Sequence, residues 1–226
     1  MTNQSTRRWF LGGTLLLLGG CAGSRSTTLS RIPGPIWEPP ATLPPESQDR
    51  DVTLHPTTGV LQRAAWAKGD PVPGRMDRMR SIERITVHHD GMSPFTDTAL
   101  SASAARLESI RRAHLRRRPQ PFGDIGYHFA IDPAGRIWAA RSTSWQGAHV
   151  RSHNQRNLGI VVLGNYDQQR LNVRQESAIV SFLSGSMRQH GVRSNALATH
   201  QEFAATACPG KSLQRFMNTA RRGPLA

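Results

Sequence analysis

From residue 57 onward the apolar and polar positions fall into two periods, one of about two residues and one of about three and a half. Arg84-Ile85-Thr86-Val87-His88 is β-rich and predicts a buried strand. Thr96 or Asp97 is placed to cap a helix running to about Arg117, with Leu100, Ala104, Leu107 and Ile110 at helical spacing and Pro119 and Pro121 ending it. Tyr127 to Ile131 predicts a strand. Asp132-Pro133-Ala134-Gly135 has the type I turn signature, proline second and glycine fourth, and Arg136 to Arg141 returns as the partner strand. Leu158 to Leu163 is a short, continuous apolar run, which predicts a central strand. Val173 to His190 predicts a second helix, with Ile179, Phe182, Leu183 and Met187 on one face and Gly191 as its stop. Ala196 to Thr199 predicts a short edge strand, and residues 212–221 a last helix. Helices alternating with strands imply an α/β fold: a single domain with a central mixed β-sheet flanked by helices.

The first 56 residues follow a different pattern. Arg7-Arg8 precede Trp9-Phe10-Leu11, then a small, apolar stretch from Gly12 to Gly20, then Cys21. A basic head, a short apolar run and small residues before a cleavage point read as a signal peptide over residues 1–20. The paired arginines resemble a twin-arginine export signal, with the general secretory route as the alternative. Leu18-Gly19-Gly20-Cys21 resembles the lipobox of bacterial lipoproteins, so Cys21 is expected to carry lipid. The competing reading is a plain secretory signal whose cleavage region happens to contain a cysteine. No apolar run reaches the roughly 18 residues of a membrane span. Residues 21–56 then form a linker rich in Pro, Ser and Thr, with Pro33, Pro35, Pro39, Pro40, Pro44 and Pro45 close together. Proline fixes φ and removes donors, so this stretch predicts an extended tether at ~3.1 Å per residue, on the order of 100 Å in all. The folded domain is expected over residues 57–226. These features predict export, a lipid anchor in the cell envelope and a periplasmic domain.

The formal charge is +14, and removing Arg7 and Arg8 with residues 1–20 leaves +12. Such a surface favours anionic partners. Export excludes nucleic acid as the target and leaves envelope anions: wall carboxylates, anionic lipid and lipopolysaccharide phosphates. The basic run Arg111 to Arg118 reads as a phosphate patch or as a solvated helix end whose cations suit the helix dipole.

Only two cysteines exist, Cys21 and Cys208. With Cys21 lipidated, Cys208 stands alone in an oxidising compartment, and metal binding would protect it. His88 ends a predicted strand, His200 follows another, and Cys208 lies eight residues later, before Pro209. Two imidazoles and a thiolate leave one position open on a tetrahedral zinc, the arrangement of catalytic zinc sites. Spacing alone does not separate His88 from His89, because neighbours on a strand face opposite sides. His55, His114 and His190 are read as surface or satisfied core residues.

Several short motifs then occur in one order: Ile85-Thr86-Val87-His88-His89, Gly126-Tyr127-His128-Phe129, Gly147-Ala148-His149, Asn154 with Leu158-Gly159-Ile160, and Thr199-His200 through Cys208-Pro209, with Arg63-Ala64-Ala65-Trp66 ahead of them. Over roughly residues 60–220 this set resembles the zinc amidases related to phage lysozyme-type amidases and animal peptidoglycan-recognition proteins. The resemblance implies N-acetylmuramoyl-L-alanine amidase activity, one Zn2+ ion, peptidoglycan as partner and a monomer. It points to His88, His200 and Cys208 as ligands, and to Tyr127 as the catalytic phenol acting on the oxyanion or the attacking water. Alternation would send His128 to the opposite face to pack. Thr206 matches a place where phage members tend to carry lysine and animal amidases threonine, which implies a catalytic role in holding the tetrahedral intermediate. His149 and Asn154 match groove positions that bind the muramyl-peptide stem, and Asn157 stands where serine is common. Some relatives lack the thiolate and only bind peptidoglycan, and another branch uses a carboxylate third ligand on small anhydro-muropeptides. Cys208 argues against both alternatives.

Overall fold

The computed structural model describes residues 59–225. The signal peptide, Cys21, His55 and the Pro-rich linker lie outside the described residues.

Six strands form one mixed sheet: β1 (Val60–Leu61), β2 (Arg84–His89), β3 (Phe129–Ile131), β4 (Ile137–Ala139), β5 (Asn157–Val162) and β6 (Leu197–Thr199). Their spatial order is β1-β4-β3-β5-β2-β6. β2 pairs parallel with β5 over its full length, from Arg84 opposite Asn157 to His89 opposite Val162, and parallel with β6 on its other side. β3 joins β5 in parallel and β4 in antiparallel fashion. The apolar run of β5 therefore lies inside the sheet and is buried throughout, as its lack of alternation predicts. β6 is one edge strand and β1 the other.

The two faces bury different clusters. On one, Ile85, Val87, Leu158, Ile160 and Val162 pack with Ile179 and Leu183 of helix α2 (Val173–His190) and with Leu213 and Met217 of α3 (Lys211–Ala220). On the other, Ala130, Val161 and Trp138 pack with Leu107 and Ile110 of α1 (Leu100–Leu115) and with Trp66 and Tyr127. No helix among the described residues is long and apolar enough to cross a membrane.

Helix α2 keeps the predicted bounds because both ends are marked locally. Asn172 and Gln175 form a reciprocal capping box, and Gly191 closes the helix in the left-handed region at φ 64°. Helix α1 departs from expectation. Neither Thr96 nor Asp97 caps it; the cap position is Ala99, and Asp97 Oδ1 accepts from the Ala99 N–H at 2.8 Å in a turn ahead of the helix. Its buried stripe is Ser103, Leu107, Glu108, Ile110, Arg111 and His114, while Leu100 in the first turn stays 49% exposed. Arg111 belongs to the stripe because Glu108 takes both its Nε and Nη2 in a buried pair.

The turn after β3 is organised by a buried carboxylate. Asp132 Oδ1 accepts from the Ala134 and Arg136 N–H groups, and Oδ2 from Arg136 Nε at 2.6 Å and Trp138 Nε1 at 2.9 Å. Regular pairing in this hairpin is shorter than predicted, but the hydrogen bonds continue backwards. The Arg141 N–H donates to the Tyr127 carbonyl at 2.9 Å, and the His128 N–H to the Gly159 carbonyl at 2.8 Å. That keeps Tyr127 and His128 on the sheet, one step before the point where strict alternation begins.

Candidate metal centre

Strand register builds the site. Val161, opposite His88 in β5, packs on the α1 side, so His88 projects there. β6 runs parallel to β2 with Thr199 opposite Val87, and the next residue, His200, therefore arrives beside His88. The chain then turns through a 3-10 segment (His200–Glu202) and returns with Cys208 just before α3. Each of the three offers one ligand atom, and those atoms lie within 4.8 Å of one another. Cys208 Sγ is 3.6 Å from His88 Nδ1. The His88 and His200 ring centroids are 4.7 Å apart.

This set fits zinc. A tetrahedral ion with a sulfur at ~2.3 Å and a nitrogen at ~2.0–2.1 Å separates those two atoms by about 3.6 Å. Both ring nitrogens of His200 are buried with no hydrogen-bond partner in the protein, as befits a ring whose polar contact is to something else. All three side chains are nearly or fully buried. Burial holds His88 well below the usual imidazole range, with further lowering from His149 and His200 nearby. Burial likewise lowers His200 to about 4. Both rings are thus neutral and able to ligate at physiological pH. Burial pushes the Cys208 thiol up, so a cation is what would make it a thiolate.

His89, the alternative ligand, is excluded by position. It lies opposite Val162 and so projects to the other face of the sheet, where its Nδ1 accepts from the Tyr166 N–H at 3.2 Å.

The sequence profile of N-acetylmuramoyl-L-alanine amidases matches residues 78–211. The chain belongs to that family. An N-acetylmuramoyl-L-alanine amidase of Sus scrofa is 31% identical over 160 residues, covering 69% of this chain and 25% of its own length. The chain thus spans about a quarter of that longer relative. Peptidoglycan-recognition protein SD of Drosophila simulans is 29% identical over 68% of this chain and 81% of its own length. Among solved structures, Drosophila PGRP-LB superposes with a TM-score of 0.62 at 21% identity, covering 74% of this chain and 95% of that one, which establishes the fold.

The other residues singled out from this family's motifs are distributed as follows. Tyr127 lies over the site: its ring centroid is 5.2 Å from that of His88, and its hydroxyl is buried without a hydrogen-bond partner. Burial raises the phenol well above its ordinary range, with a further push from Cys208. It therefore keeps its proton at neutral pH and has that proton available to donate. Thr206 is half-buried, and its Oγ1 accepts from the Cys208 N–H at 3.2 Å, shaping the turn that presents the sulfur. His128 is fully buried with both ring nitrogens engaged, Nε2 with the Trp145 carbonyl and Nδ1 with the Gly159 N–H. Asn157 is taken up inside the protein, accepting from Thr86 Oγ1 and donating to the His153 carbonyl. His149 and Asn154 are buried rather than displayed. His149 Nδ1 sits 3.0 Å from His88 Nε2, and Asn154 Oδ1 accepts from the backbone of His149 and Val150. A cavity of about 370 Å³ opens beside this segment, lined by Met76, Phe122, Arg141, Gly147 and Ala148 among others.

Sequence reasoning passed over Asp90, the residue after the histidine pair. Its carboxylate accepts from Arg106 of α1 and from the Gly164 N–H, which ties the end of β2 to the helix and to the loop after β5. An acid directly following a strand was the available signal.

Proposed function

We propose that this chain hydrolyses the lactyl amide between N-acetylmuramic acid and L-alanine in peptidoglycan, using one zinc ion held by His88, His200 and Cys208. The observation that carries this reading is the convergence of those three ligand atoms within 4.8 Å, beside a buried phenol with no protein partner. A non-catalytic relative needs neither a thiolate nor a poised donor.

When bound, zinc supplies a Lewis acid for the amide carbonyl and lowers the pKa of water toward about 7. The protein's part is positioning and proton control. Water adds to the carbonyl carbon, negative charge develops on the carbonyl oxygen, and the carbon–nitrogen bond breaks. The nitrogen leaves with a proton as the amine of L-alanine. Tyr127 carries its proton and donates a hydrogen bond to the developing oxyanion, a role worth about 10²–10³ in rate where a donor is held ready. Thr206 holds the Cys208 loop and offers its hydroxyl alongside. The cavity lined by Phe122, Arg141 and Gly147 receives the peptide stem, and the Arg141 guanidinium holds its wall by donating to the Ile125, Gln146 and Asp124 carbonyls.

The same reading places the domain outside the cytoplasm, tethered by a lipid on Cys21 through the Pro-rich linker. It rests on the Leu18-Gly19-Gly20-Cys21 pattern. Loss of detergent-phase partitioning in Cys21→Ser tests it.

Purified sacculi incubated with protein lacking residues 1–21 should release new L-alanine amino termini, and release should stop with chelator or in Cys208→Ala. Equal release by that variant refutes the metal assignment. Sacculus binding without cleavage would instead favour a recognition role. Mass spectrometry showing only small muropeptide products would narrow the substrate to that class.

A further inference from the structure

We infer that His149 is a positioning residue for the metal ligand His88 and makes no direct contact with substrate. The inference rests on the metal site proposed above, and a chain of hydrogen bonds carries it. The Asn157 carbonyl can only accept, and it lies 3.1 Å from His149 Nε2, so that nitrogen bears the hydrogen. In a neutral imidazole the other nitrogen is then an acceptor. His149 Nδ1 faces His88 Nε2 at 3.0 Å, so His88 Nε2 must donate. That leaves the lone pair of His88 on Nδ1, the atom 3.6 Å from Cys208 Sγ. The carbonyl of Asn157 thus sets, through two rings, which nitrogen of His88 is free to bind a cation.

The seat of the His149 ring is built for this arrangement. A Cβ on Gly147 would lie 2.3 Å from His149 Cδ2, and one on Gly159 would lie 2.4 Å from the same atom. Real Cβ atoms essentially never make such a contact, so both positions require glycine for the ring to keep this seat. Asn154 Oδ1 fixes the backbone on the third side, accepting from the His149 N–H at 2.7 Å and the Val150 N–H at 2.8 Å. The ring is fully buried, and neither of its nitrogens is left for a substrate. A partner that locks the tautomer and orientation of a ligand histidine typically changes metal affinity 10–100-fold.

The test is a competition titration of zinc against a chromophoric chelator, using the exported form of the chain with His149→Leu and His149→Asn. Circular dichroism at the same protein concentration controls for folding. Leucine keeps apolar bulk and removes the acceptor; its zinc affinity should fall by about 10–100-fold. Asparagine can place an oxygen near the lost Nδ1 and should recover part of that loss. At saturating zinc, KM for a soluble muramyl-peptide should stay near the wild-type value in His149→Asn. Wild-type zinc affinity in His149→Leu, or a raised KM with unchanged affinity in His149→Asn, overturns the inference and returns His149 to the substrate groove. If His149→Leu fails to fold, His149→Asn alone decides on the same two readouts. Absence of zinc binding by the wild type would overturn the metal site and the inference together.

Discussion

The protein has two tyrosines, and their hydroxyls sit in opposite situations. Tyr127 is fully buried, and its oxygen has no hydrogen-bond partner in the protein. Tyr166 is also buried, but its hydroxyl donates to the Leu163 carbonyl at 3.0 Å and accepts from Gln175 Nε2 at 2.7 Å. Replacing each by phenylalanine removes one oxygen and keeps the ring. A buried polar group without a partner is unfavourable by roughly 1–3 kcal/mol, so Tyr127→Phe should leave unfolding free energy unchanged or raise it by up to about 1 kcal/mol. Tyr166→Phe breaks two bonds and orphans the Gln175 donor, and should lower it by about 1–3 kcal/mol. Activity should move the other way. Losing a prepared oxyanion donor should reduce turnover on a muramyl-L-alanine amide by about 10²–10³ in Tyr127→Phe, while Tyr166→Phe should stay within about threefold of wild type. Urea unfolding of the metal-free proteins and release of L-alanine amino termini supply the two readouts. A Tyr127→Phe protein that is both destabilised by more than 1 kcal/mol and fully active would show that Tyr127 is an ordinary core residue.

Other consequences can be checked directly. Asp132→Ala removes the acceptor for Ala134, Arg136 and Trp138 together, and should destabilise the fold by about 3–5 kcal/mol in denaturant titrations; a loss below 1 kcal/mol would contradict its role as the hub of the β3–β4 turn. Burial lowers both His114 and His128 to about 3, against about 6.5 in the unfolded chain. Their contribution to stability is complete above pH 6.5 and is lost as pH falls toward 3, at up to about 1.4 kcal/mol per pH unit for each ring. Unfolding free energies of chelator-treated protein at pH 7 and pH 5 should therefore differ, with a shallower slope in His114→Gln; a flat profile between those values would sink this account. The proposed site exists only in the folded chain, so zinc at a thousandfold excess over Kd should stabilise by about 4 kcal/mol, read as a rise in Tm that chelator reverses and Cys208→Ala abolishes.

How much of this was legible in the sequence depends on where each signal resides. The elements with local punctuation came through: α2, with Asn172, Gln175 and Gly191 at its ends, and the Asp132 to Gly135 turn. The start of α1 did not, because Asp97 bonds backbone outside the helix and no side chain marks Ala99. Tyr127 packs on the α1 side with Ala130, which strict alternation back from Phe129 does not give, because regular pairing begins only at Phe129. Spacing left His88 and His89 equivalent and the family resemblance chose His88; sheet register, which places His200 beside it, supplies the physical reason. The environment of His149 was illegible for a similar reason. Its partners, His88, Asn157, Gly147 and Gly159, come from β2, β5 and the loop between β4 and β5, and their meeting is a property of the folded sheet.

Zinc K-edge X-ray absorption on the purified, zinc-loaded protein tests the central claim most directly. Two nitrogens at about 2.0–2.1 Å and one sulfur at about 2.3 Å should account for the protein's share of the coordination shell, with the sulfur contribution gone in Cys208→Ala. A shell with no sulfur, or with four protein ligands and no open position, would contradict a catalytic zinc held by His88, His200 and Cys208.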